Sequence, residues 1–225
     1  MTIDKFFINF EYFTNTGNCY PMQLGFGFLP SVCIPTSKAK TLIACQKGCN
    51  LFGKNGGCPP FSPDFNNLVP IYPFTYVFFL VLQTKHFPLK VLEGNFYVKW
   101  SFVEIVLGSL IVKLEKSISQ KVNGLIVSSG RCTKCGTNHA CKLPVDGLCA
   151  NPSLRTFSLE SCGVLVTELM KDSFNLPLGW FNSKSPRDVP KYMIKVSSIL
   201  TKEKFAPYSI FVELKETLEG LKCVK

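Results

Sequence analysis

Four cysteines fall within eighteen positions of this chain: Cys132, Cys135, Cys141 and Cys149, spaced C-x2-C-x5-C-x7-C. Three more sit upstream in "CQKGCNLFGKNGGCPP": Cys45, Cys49 and Cys58, spaced C-x3-C-x8-C-P-P. Seven of the 11 cysteines thus lie in two short, glycine-rich segments. Gly48, Gly53, Gly56 and Gly57 let the first segment bend tightly, and Pro59–Pro60 stiffens its exit, so residues 45–60 read as a loop. Residues 130–163 read as a second loop of the same kind. Thiolates gathered at such spacing most often share a metal.

The rest of the chain has to build a frame for those loops. With 225 residues and an apolar fraction of 46%, one domain with an ample core is expected over 1–225. No secretory signal is visible, since the apolar patch Phe6–Phe10 is short and broken by Asn9. A cytoplasmic, reducing setting favours metal ligation over disulfides. The longest apolar run, Tyr76–Leu82, is far too short to cross a bilayer, so no membrane association is expected. The net charge of +10 is spread along the chain with no dense basic block. It reads first as a solvated surface. Nucleic acid is a conceivable anionic partner, but no recognition motif supports it. A local reading also holds: between Tyr12 and Pro63 there is no acid, but there are Lys38, Lys40, Lys47 and Lys54. A 4Fe–4S core with four thiolates carries about −2, and nearby lysines would offset it.

Taken in order, residues 1–44 are rich in aromatic and apolar pairs and predict one or two strands with turns. Cys19 and Cys33 lie there without metal-type spacing and are expected to be small buried hydrophobes. "FSPDFNNL" predicts a turn or short helix. Tyr76–Gln83, "YVFFLVLQ", predicts a central strand buried on both faces. Val103, Val106, Leu107, Leu110, Ile111, Leu114 and Ile118 recur at three- and four-residue steps and predict a long helix over about 101–122. Ser101 with Glu104 suits a capping box at its start, and Gly124 suits its stop. Leu125–Ser128 predicts a short strand that delivers the second cysteine loop. Asn151–Pro152 suits a helix start, with Asn as cap. Ser158–Phe174 predicts helix in patches, broken near Gly163. Trp180–Pro190 predicts a loop, and Tyr208–Leu214 a late strand. The fold class is α/β or α+β, with the cysteine loops at the carboxyl end of a strand.

The second cysteine group suits iron–sulfur better than zinc. A C-x2-C turn points two sulfurs at one metal, but a zinc ribbon needs a second such pair or paired histidines. Cys141 and Cys149 have seven residues between them, which is loose for zinc, whereas an iron–sulfur cluster accepts wider loops. His139 lies between Cys135 and Cys141 and reads as an outer or surface residue. The first group offers three thiolates. Three ligands on a cubane leave one iron open, able to act as a Lewis acid or sulfur carrier. The alternatives are a fourth ligand from Cys33, Cys162 or Cys223, or one site shared by both groups. Cys19, Cys162 and Cys223 are expected not to be ligands. There is no P-loop, dinucleotide fingerprint, radical-SAM triplet or serine-nucleophile elbow.

Four stretches together resemble the family of small predicted metal-binding proteins known as DUF2284. They are "CQKGCNLFGKNGGCPPFSP", "LEKSISQKVNGLIVSSGRC", "CTKCGTNHAC" and "CANPSLRTFSLESCGVLV". Ala150–Asn151 stands where the family usually has Arg–His, Phe157 where proline is common, and Leu165 where Asp is common. The resemblance implies iron–sulfur or other metal binding at Cys45, Cys49, Cys58, Cys132, Cys135, Cys141 and Cys149, and no settled reaction.

Three functions follow as expectations. The first is electron transfer to a redox partner protein through an iron–sulfur cluster, most simply 4Fe–4S. The second is a non-redox iron–sulfur enzyme that uses an open iron for sulfur transfer or desulfuration of a small anionic or thiolated substrate. The third is a zinc-stabilised interaction module.

Overall fold

The strand expected at Tyr76–Gln83 runs from Phe74 to Gln83 (β3), and every residue from Thr75 to Leu82 is buried. Such a strand needs neighbours on both edges and cover on both faces. The computed structural model describes residues 3–14, 16–136, 141–181 and 188–221. Its six strands are β1 (Lys5–Phe13), β2 (Cys19–Pro30), β3, β4 (Gly124–Ser128), β5 (Phe157–Ser158) and β6 (Tyr192–Thr201). They form one sheet in the order β1-β2-β3-β6-β4-β5. All pairings are antiparallel except β4 with β5, which is parallel. Among the described residues no helix is long and apolar enough to cross a membrane.

The two faces of the sheet are covered differently. On one face Phe26, Phe78 and Leu80 pack in a core with Leu107, Leu110, Leu114 and Ile118 of the long helix and Ile210, Phe211 and Leu214 of the last helix. The other face carries Val77, Phe79, Val127 and Leu200. Short segments close it through Phe65, Leu159, Cys162, Val164 and Leu169. Helices on one face of a mainly antiparallel sheet make this an α+β fold.

The long helix is longer than its apolar repeat suggests. It comprises Phe96–Val103, a π-helical turn Glu104–Gly108 and Ser109–Lys121. Its cap is Asn95, whose Oδ1 accepts from Val98 N at 3.1 Å. The expected Ser101–Glu104 capping box does not form, because Ser101 is already inside the helix. Glu104 pairs instead with Lys195 Nζ of β6 at 2.6 Å. Gly124 is not a cap either. It opens β4, where a Cβ would stand 2.6 Å from Leu200 O.

Other expectations also change. Tyr208–Leu214 is not a strand but part of the helix Pro207–Leu221, whose buried residues Ile210, Leu214 and Leu218 recur every four positions. The late strand is β6. Its Lys195, Ser197 and Ser198 interrupt the apolar run, yet all three are buried. Ser197 Oγ donates to Glu115 Oε1 of the long helix at 2.8 Å, and Ser128 Oγ of β4 donates to the same oxygen. Burial pushes the Glu115 carboxyl above the usual range, and these two serine bonds oppose that rise. Cys19 and Cys33 are exposed, not buried: one begins β2 at the hairpin, the other ends the short turn Ser31–Cys33. Cys162 is fully buried, as expected of a small packed side chain. Part of the expected Trp180–Pro190 loop, residues 182–187, lies outside the described residues.

Candidate metal centre

Both ends of the second cysteine segment are fixed by the sheet. β4 ends at Ser128, just before Gly130 and Cys132. The chain returns as β5, where Val127 pairs with Phe157 and Ser128 with Ser158. Two adjacent parallel strands therefore bracket the loop that carries the four cysteines. Cys132, Cys135, Cys141 and Cys149 are each half-buried and line one small pocket, together with Asn55, Gly56, Asn151 and Arg155. His139 lies outside the described residues, as does Cys223.

The first segment is not wholly a loop. The helix Lys38–Gly48 includes Cys45, and Cys49 is its C-terminal cap residue. The start of this helix is tied to the far side of the site: Ser37 N donates to Gly163 O at 2.7 Å. Lys38 Nζ donates to Ser161 O at 2.5 Å and Pro63 O at 3.1 Å. After Cys49 the chain runs in turns to Cys58, which is buried, while Cys49 is exposed and Cys45 half-buried. These three cysteines do not line the pocket of the second group.

The turn Asn55–Gly57 joins the two segments. Asn55 is buried. Its Nδ2 donates to Cys132 O at 3.1 Å, and its Oδ1 accepts from Cys132 N at 3.2 Å and Gly57 N at 2.9 Å. The carboxamide thus does for Cys132 what a neighbouring strand would do. Gly56 N donates to Cys141 Sγ at 3.3 Å. Gly57 must be glycine here, because a Cβ would stand 2.6 Å from Thr156 O and 2.9 Å from Cys132 N. Arg155 closes the arrangement from behind. Its Nε donates to Gly56 O at 2.9 Å, Nη2 reaches Gly56 O and Phe61 O, and its guanidinium lies 4.8 Å from the Phe157 ring centre.

Electrostatics also link the groups. The Cys58 thiol is pushed up to about 12, first by burial and then by Cys49, Cys45, Cys132 and Cys141. Its interacting neighbours therefore come from both segments. Burial also pushes Cys45 up, Cys49 and Glu160 add to the rise, and Lys38 opposes it. Such thiols stay protonated at neutral pH, so a metal that binds them must displace protons. The Cys162 thiol is pushed up to about 11, chiefly by burial in the core.

By their chemistry the thiols that line the pocket suit a thiophilic metal group, although they are not drawn together around one point. Four cysteines share one pocket, and N–H groups point at two of their sulfurs, Cys141 and Cys135. Among the described residues, no three or more His, Cys, Asp or Glu side chains stand grouped closely enough to hold a metal ion. Asn55 and Arg155 give no sign in the sequence, whereas the glycines of 45–60 suit backbone amides turned toward sulfur, as Gly56 N is toward Cys141 Sγ. Asn151 carried a signal only as a presumed helix cap, and no side-chain cap bond forms there. It lies at the Ala150–Asn151 departure and still touches the site, with Nδ2 3.4 Å from Cys135 Sγ.

Searches of curated proteins and of solved structures find no match to this chain. A family model described as "predicted metal-binding protein (DUF2284)" matches residues 30–200, a range that takes in both cysteine segments, β3, the long helix and β4. The chain belongs to the DUF2284 family of predicted metal-binding proteins.

Proposed function

We propose that Cys132, Cys135, Cys141 and Cys149 hold an iron–sulfur centre and that the protein passes electrons to a partner protein. The observation that carries this reading is the shared pocket lined by all four thiols. The loose Cys141–Cys149 spacing suits a cluster better than a single zinc ion. The test is metal, acid-labile sulfide and visible absorption analysis of anaerobically purified protein. Bound iron and sulfide with a broad shoulder in the blue support the reading. A colourless protein that carries zinc contradicts it and favours the zinc-stabilised interaction module.

A second reading has its own observation. Cys45, Cys49 and Cys58 interact with one another, and Cys58 also with Cys132 and Cys141. In this reading they form a three-thiolate site with one metal position open to a small anion or thiol, and the protein is a non-redox enzyme. A small thiol should then perturb the electron paramagnetic resonance signal of the reduced protein, and Cys49→Ala should abolish that response while the other signal persists. No perturbation by any small anion or thiol would remove this reading.

A further inference from the structure

Asn151 follows Cys149 by two residues, yet its side chain reaches back to the C-x2-C turn. Nδ2 donates to Lys134 O at 3.4 Å and to Cys135 Sγ at 3.4 Å. A carboxamide nitrogen carries two hydrogens, so both bonds form together. The first ties the end of the cysteine segment to its beginning. The second is aimed at sulfur, a weak acceptor as a thiol and a much better one as a thiolate. Across the same pocket, Gly56 N donates to Cys141 Sγ at 3.3 Å. Two of the four thiols therefore each receive an N–H from outside their own turn.

We infer that Asn151 is a positioning and tuning residue of the metal centre, and that it acts with the Gly56 amide as an outer shell of N–H donors to sulfur. This rests on the metal-centre reading above. Each N–H···S bond draws electron density from a ligating sulfur. In a redox cluster, donors of this kind favour the reduced state, whose sulfurs carry more negative charge, and so raise the reduction potential. In any thiolate-bound metal they move sulfur-to-metal charge transfer to higher energy, because the sulfur electrons are held more tightly. Asn151 can be tested by substitution. The Gly56 contribution is a backbone group and stays constant in the comparison.

The probe is Co(II) alone, titrated anaerobically into the reduced, metal-free chain, with the sulfur-to-cobalt charge-transfer band as the readout. Asn151→Ala should lower Co(II) affinity about tenfold, the usual scale for loss of an outer-shell partner. It should also move the band to lower energy. Asn151→Asp keeps the size, removes the donor and adds an anion beside Cys135, so its affinity should fall further. A fall in affinity with the band unmoved would mean that only the bond to Lys134 matters, and the tuning role would be lost. Unchanged affinity and an unmoved band in both variants would overturn the inference and leave the metal-centre reading standing. A wild-type chain that gives no band, or one that Cys135→Ala leaves intact, would overturn both.

Discussion

The helix-covered face of the sheet and the cysteine corner are held together by different means. The face under the two long helices is apolar side chain against apolar side chain, with Phe26, Phe78, Leu107, Leu110 and Leu114 almost wholly buried. That burial is redundant, since no single contact decides the fold. The cysteine corner relies on a few bonds to backbone, among them Asn55 on Cys132, Arg155 on Gly56 and Lys38 on Ser161. Each such bond spans a long stretch of sequence. The frame should therefore survive changes that disable the site, whereas damage to the frame should reach both.

The largest expected effect comes from breaking the apolar side. Phe78→Ala removes a fully buried ring and should cost about 3–5 kcal/mol in chemical denaturation. The loss should be the same with and without a chelator. A loss that appears only with metal present would mean that the frame is not self-supporting. Next is Asn55→Ala, which strands the Cys132 amide and carbonyl and should cost about 1–3 kcal/mol. It should also weaken metal binding, whereas Phe78→Ala in the surviving folded fraction should not. Asn55→Asp keeps the acceptor toward Cys132 N and should lose less.

Glu115 sharpens the comparison through pH, because it joins the long helix to β4 and β6. Its carboxyl is raised by burial, so the folded chain holds the proton longer than the unfolded chain, which titrates near about 4.3. Stability should thus be greatest in acid and fall as pH rises from the ordinary range to the raised value, then level off. Glu115→Gln should flatten that part of the pH profile of thermal unfolding. A wild-type profile that instead climbs across this window would contradict the assignment. The smallest effect concerns the helix start. Asn95→Ala should cost about 1 kcal/mol, while Ser101→Ala should stay within about 0.5 kcal/mol. The reverse order would restore the capping box that the structure replaces.

Much of the frame was legible in the sequence and little of the corner was. β3 showed itself as an unbroken apolar run, the first hairpin as clustered aromatics, and the long helix by its three- and four-residue steps. β6 is hidden because Lys195 and Ser197 look like surface residues, and only their partners on the long helix, Glu104 and the buried Glu115, explain them. The last helix reads as a strand because "YSIFVEL" is too short a window to separate a period of two from a period near four. Cys45 reads as loop because the glycines beyond it mask the end of the helix Lys38–Gly48. Asn55 and Arg155 gave no sign at all, since their partners lie 77 and 99 residues away and a side-chain-to-backbone bond leaves no pattern along the chain. The cysteines were legible because ligand spacing is local, and the bonds that position them are not.

The central claim is that one metal centre is held by Cys132, Cys135, Cys141 and Cys149. The most direct measurement is bound metal per chain in anaerobically purified Cys135→Ala, set against Cys162→Ser, whose thiol is buried in the core away from the pocket. Cys135→Ala should lose metal and melt at a lower temperature, because a thiolate-bound metal contributes to folding free energy. Cys162→Ser should keep its metal. Unchanged metal content and melting temperature in Cys135→Ala, or loss of metal from a folded Cys162→Ser, would contradict the account.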